Sequence, residues 1–171
     1  MQTKTAPEIR GWLTGRLPAE WFDSAPDVTI DREEIVVVGE LSAPATADGA
    51  DEGERSAAEA GRIREFRERT REQRMRIARE LERASDRKVA WGARCGETTA
   101  LFTTMSVPVM TRLRQRERLV LDTLVDAGVA RSRSDALGWC VRLVAGHADD
   151  WLAELRSAME QVEEVRSRGP A

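Results

Sequence analysis

With 171 residues, 41% of them apolar, the chain can bury one medium core or a small core with attachments, which excludes a fully disordered polymer. With 33% charged residues and a net charge of −3, it is not a uniformly basic nucleic-acid coat. No run approaches the roughly 18 apolar residues of a membrane span, and the first residues lack an apolar signal core, so a soluble, cytoplasmic protein without a membrane role is expected.

Residues 7–17 read as a helix. Pro7 suits a first turn, where a missing N–H is harmless, and Ile9, Trp12, Leu13 and Leu17 fall on one face. Pro18 ends it before Trp21 and Phe22, two expected core aromatics. Residues 27–31 and 34–41 are β-branched runs around a polar turn and predict a hairpin. Apolar side chains on both faces of the second run (Ile35 and Val37, Val36 and Val38) imply a strand covered on both sides, or an interface. The first 41 residues thus read as a small helix-and-hairpin unit. Residues 42–54 hold small residues, proline, glycine and acids, and read as a flexible linker and domain boundary.

Residues 55–86 read as one charged helix of about 30 residues, roughly 45 Å long. Its apolar stripe is thin: Ile63, Phe66, Met75, Ile77 and Leu81. Its arginines could touch phosphates, but ten acids interleave with the bases between 51 and 88, which favours a solvated face laced with ion pairs. Short strands follow at 88–94 and 98–105, with Trp91 and Phe102 in the core and Gly92 a candidate bulge.

The most specific signal lies at 108–146. Residues 109–114 alternate: Val109, Thr111 and Leu113 on one side, Met110, Arg112 and Arg114 on the other. Leu121, Leu124 and Val125 then define the buried face of a helix, and Gly128 stands where a helix stops in a positive-φ conformation. Ser132 and Asp135 offer the cap of a second helix, whose buried face is Ala136, Leu137, Cys140, Val141 and Val144. Charge follows the same division: residues 1–50 carry four basic and nine acidic groups, 103–147 seven basic and four acidic, and 148–171 three basic and six acidic. Arginines on one side of a strand match the acceptors on the major-groove edge of guanine, and the groove admits a two-stranded ribbon, so two copies must pair their strands. A final helix over 150–166 carries Leu152, Leu155, Met159, Val162 and Val165, with Trp151 beside them, at near-heptad spacing.

Strand, helix, turn and helix over roughly 108–146, with the junction Gly128, Ser132, Ser134, Asp135 and Ala136, resemble the ribbon-helix-helix family of bacterial repressors and antitoxins. That resemblance implies a homodimer that binds double-stranded DNA and regulates transcription. It places Met110, Arg112 and Arg114 at base edges, and Ser132, Arg133 and Ser134 at the phosphate backbone. Free N–H groups at a helix start beside a cation favour an anion for the same reason.

The whole is therefore expected to be an α+β protein: a helix-and-hairpin unit (1–41), a linker (42–54), a long helix with short strands (55–107), the ribbon-helix-helix-like module (108–146) and a C-terminal helix and tail (147–171). No enzyme is expected. His147 is the only histidine and sits at a helix junction, and no nucleophile elbow, phosphate loop or metal-spaced ligand set occurs, so neither a cofactor nor a metal is assigned. Cys95 and Cys140 read as small buried side chains. Two alternatives stay open. The same dimer could be a structural protein that binds a protein partner through its N-terminal unit, or an antitoxin using that unit as a toxin-binding arm. Strands within 88–105 could also pair with 107–113 and take the edge a dimeric ribbon needs.

Overall fold

The structure, a computed structural model, describes residues 4–45 and 51–168. It is an α+β protein with four strands and six helices among those residues. The chain divides into two compact units, Met1–Pro108 and Val109–Ala171.

In the first unit, α1 (Ala6–Arg16) is followed by β1 (Asp27–Ile30) and β2 (Glu34–Glu40), then α2 (Glu52–Arg69), α3 (Arg71–Ser85), β3 (Lys88–Cys95) and β4 (Thr98–Leu101). The sheet order is β1-β2-β3-β4. The predicted hairpin forms, with Val28 opposite Val37. Its second strand also pairs in parallel with β3, Val37 opposite Trp91, and β3 pairs antiparallel with β4. The expected separation of 1–41 from 55–107 is therefore not the one the fold makes. A parallel pair needs a long crossover, and residues 41–87, including both long helices, supply it. The stretch read as a linker is part of that connection; its residues 46–50 lie outside the described residues.

The pleat explains the apolar character of both sides of β2. Ile35, Val37 and Leu41 join Trp91, Ala93 and Cys95 in a core that also takes Ile9, Leu13, Ile63, Phe66, Ile77 and Leu81 from the three helices. Val36 and Val38, on the opposite face, remain half-buried. Trp21 is buried as expected and meets Phe66 and Trp91 edge-on, with ring centroids 5.7 and 6.1 Å apart. Gly92 is no bulge, since the β3–β4 register is regular through it. A side chain there would instead press on Leu101 and the Ala100 carbonyl.

The single long helix predicted over 55–86 is two helices that break at Thr70. A straight rod of roughly 45 Å would overrun strands of eight residues or fewer, which reach about 26 Å. The break lets both α2 and α3 pack on β3. At the break, the Thr70 hydroxyl donates to the Phe66 carbonyl at 2.6 Å and accepts from Arg74 Nε at 2.9 Å. A threonine bonding back to the preceding turn bends a helix in this way. Arg74 is buried, donates to the Arg67 carbonyl at 2.6 Å and lies 4.6 Å over the Phe102 ring. Met75, expected in the apolar stripe, is 44% exposed.

In the second unit, α4 (Gln115–Asp126), α5 (Arg133–His147) and α6 (Asp149–Arg168) follow one another. Leu121, Ala130 and Ala136 form a small core, with Leu113, Leu124, Val125, Leu137 and Cys140 packed against it. Val141 and Val144, expected on the buried face of α5, are exposed. So is much of the α6 stripe: Trp151, Leu155, Met159, Val162 and Val165.

Candidate nucleic-acid interface

Residues 103–114 have no hydrogen-bonded secondary structure, and β4 stops at Leu101. The expected strand at 109–114 is thus not paired, and the strands within 88–105 do not take its edge: β4 bonds only β3 in the sheet. Leu113 is anchored against the small core of the second unit. Val109 and Met110 are 84% and 97% exposed, and Arg112 and Arg114 are exposed as well.

Where this segment enters α4, the Glu117 carboxylate accepts from the Arg114 N–H, at the helix cap. Arg118 Nη1 donates to the Leu113 carbonyl at 2.7 Å, a second tie at the same point. At the other end of α4, Gly128 adopts φ +74°. The Val129 N–H reaches the Leu124 carbonyl and the Gly128 N–H the Val125 carbonyl, both at 3.0 Å. That is the Schellman closure which the glycine predicted.

Ser132 caps α5, its hydroxyl accepting from the Asp135 N–H at 3.2 Å. The Asp135 carboxylate reaches back to the Arg131 N–H at 3.0 Å. The capping box is displaced by one residue, but the N–H groups of Arg133 and Ser134 still lie in the first turn, where no carbonyl of the same helix can reach them.

Met110, Arg133 and Ser134 line one groove of about 330 Å³, together with Leu113, Arg118 and Leu137. Arg112, Arg114 and Ser132 do not line it. Arg133 is also not free: its Nε and Nη2 donate to the two oxygens of Asp122 at 2.6 and 2.8 Å. These hydrogen bonds hold the Asp122 carboxyl below its usual range. Two of the five guanidinium N–H groups are spent on Asp122, and the remaining edge is open to solvent. Neither Arg118 nor Asp122 stands out in the sequence. Asp122 lies 11 positions from its partner, a spacing no helical pattern marks.

His147 is exposed in the last turn of α5, its Nδ1 2.8 Å from the Leu143 carbonyl. Burial raises the Cys95 thiol pKa. Among the described residues no cluster of histidine, cysteine or carboxylates could hold a metal ion, and no helix is long and apolar enough to cross a membrane.

Residues 7–101 match the family model described as Rv1265-like protein, N-terminal domain, and residues 114–166 match the Mb1296 C-terminal domain. The chain belongs to the Rv1265-like family. It is 54% identical over 172 residues to the uncharacterized proteins Rv1265 of Mycobacterium tuberculosis and Mb1296 of Mycobacterium bovis. Each alignment covers 99% of this chain and 74% of the relative. No solved structure matches. The two family stretches fall on either side of the division between the units, so Met110 and Arg112 lie between them, while Arg114, Ser132, Arg133 and Ser134 lie in the second.

Proposed function

We propose that this family member is a homodimeric DNA-binding regulator in which residues 109–114 of two copies pair as a ribbon and read the major groove. The observation that carries the reading is the free segment itself. It follows the sheet without joining it, is anchored at Leu113 and exposes Met110, Arg112 and Arg114. Once the segment pairs as a strand with Leu113 turned inward, alternation turns the even-numbered side chains outward, whereas in the unpaired segment Val109 and Thr111 are exposed as well. Each arginine fork can then meet the two acceptors of a guanine. The start of α5, with two N–H groups and the open edge of Arg133, suits a backbone phosphate. A second copy also accounts for the apolar side chains left on α5 and α6, since patches of this kind mark interaction surfaces.

The test combines sizing in solution with mapping of bound genomic DNA, followed by affinity measurements on the recovered sites. Arg112→Ala with Arg114→Ala is expected to keep the dimer and to cost roughly 1–3 kcal/mol of base discrimination per arginine. Wild-type affinity and preference in that double variant would overturn the assignment. The open face of the sheet, where Leu101 is 47% exposed beside Val36 and Val38, supports a second reading. In it the dimer is a non-catalytic interaction protein or antitoxin-type partner that binds another protein through its first unit. It predicts a dimer that binds no DNA site.

A further inference from the structure

The first unit carries a second cationic surface that the ribbon leaves unused. Residues 62–83 hold nine arginines and five glutamates, a net of +4, within a unit whose first 50 residues sum to −5. Some of these arginines are committed: Arg62 and Arg69 pair with Glu65, and Arg74 is buried. Arg71, Arg76 and Arg79 are exposed on α3 and make no ion pair within 4.0 Å among the described residues. Together with Glu72, Gln73 and Met75 they line a hollow of about 490 Å³ on the side of α3 away from the sheet core.

From these positions we infer that α3 grips the phosphodiester backbone of double-stranded nucleic acid through Arg71, Arg76 and Arg79, without reading sequence. Arg71, Met75 and Arg79 are spaced i, i+4, i+8 and share one helix face, with Arg76 beside them. Arg71 and Arg79 stand about 12 Å apart along the axis, a span of three to four phosphates of one strand. The guanidinium fork matches two phosphate oxygens at once, which lysine cannot do. Among the described residues Met75 is the one large apolar side chain lining the hollow, so a bilayer would find little to bury there, whereas a phosphate chain needs only charge. Glu72 subtracts from the field and leaves three cations against one anion at the hollow. Contacts of this kind supply affinity and position but no base preference.

The experiment uses the full chain and a random-sequence 30-base-pair duplex, with affinity followed by fluorescence anisotropy across a salt series. Arg71→Ala/Arg76→Ala/Arg79→Ala is expected to lower the slope of log affinity against log salt by about 2 to 3, at roughly 0.9 for each phosphate no longer neutralised. The lysine triple variant is expected to keep most of that slope, and matching far-UV circular dichroism shows that the fold is intact. The surface and the ribbon fail separately. Loss of base preference in Arg112→Ala/Arg114→Ala with an unchanged random-duplex slope supports both proposals. A triple alanine variant with the wild-type slope and affinity on random duplex overturns this one and leaves the ribbon standing. Wild-type protein that binds anionic phosphatidylglycerol vesicles through these arginines, and no duplex, overturns both.

Discussion

Arg133, the first residue of α5, lies against Asp122 of α4 with both of its near N–H groups on the carboxylate, at 2.6 and 2.8 Å. The pair ties the two helices together beyond the Gly128 turn. It also sets Asp122 in competition with any phosphate that approaches the start of α5.

That competition gives the first prediction. Arg133→Ala should weaken duplex binding by the full chain, and Asp122→Ala should strengthen it by releasing the guanidinium. Opposite signs in one titration are the expected result. Weaker binding in both variants would mean that the pair serves only to hold the helices.

The same pair predicts an acid dependence. Hydrogen bonds from Arg133 lower the Asp122 pKa from its ordinary value. The stability this adds is present above the unfolded-state value of about 3.9 and is lost as pH falls through the lower folded value. The stability gap between wild type and Asp122→Asn should therefore be constant above about pH 5 and close below about pH 4. Urea unfolding at a series of pH values measures it, and a gap that closes near pH 6 would rule out this carboxylate as its source.

The turn itself can be tested at Gly128. Nothing lies within 4 Å of the place where a side chain would go, so a substitution there meets only the conformational cost of φ +74°. Gly128→Ala should cost about 1 kcal/mol and Gly128→Asn less, because asparagine tolerates the left-handed region. Thermal melting checks the order Gly, Asn, Ala.

Gly128 and Ser132 were legible in the sequence because helix stops and caps are local: φ and a hydroxyl decide them within a few residues. Thr70 was not. A mid-helix threonine is common, and what turned it into a break is the length of the sheet on which both halves must lie. The boundary drawn at 42–54 failed for a related reason, since the pairing of β2 with β3 joins residues more than 50 positions apart and leaves no mark near either strand. At the candidate interface, alternation marks Met110, Arg112 and Arg114 in the sequence, whereas in the fold Val109 and Thr111 are exposed as well. Only the folded chain shows that Asp122 holds Arg133.

Gly39 marks a close approach of the same non-local kind. A side chain there would overlap the Phe22 ring, which sits over β2 against Trp21 and Phe66. Gly39→Ala should cost about 1–3 kcal/mol through overpacking. In the Phe22→Ala background the same substitution should cost much less, because the ring it strikes is gone. Additive costs in the double variant would show that the strain arises elsewhere.

Arg74 carries the last prediction, and its sign runs opposite to that of Asp122. Burial, then the nearby charges of Arg67 and Arg71, push the Arg74 pKa down to about 10. An unfolded arginine keeps its proton to a markedly higher pH. Between those values the unfolded chain binds more protons, so the stability contributed by this group rises with pH and is lowest, but constant, below about 10. Arg74→Ala at neutral pH should cost about 1–3 kcal/mol, since the Thr70 hydroxyl and the Arg67 carbonyl lose their donor. Arg74→Met keeps most of the volume, removes the buried charge and should cost less. The chain has no tyrosine and only two lysines, and the buried Cys95 thiol, whose pKa is pushed up, is common to both proteins and cancels in their difference. Unfolding free energies at pH 9, 10 and 11 should show wild type gaining on Arg74→Met by up to about 1.4 kcal/mol per pH unit above 10. A gap that stays flat across those three values would mean that the guanidinium keeps its proton in the core.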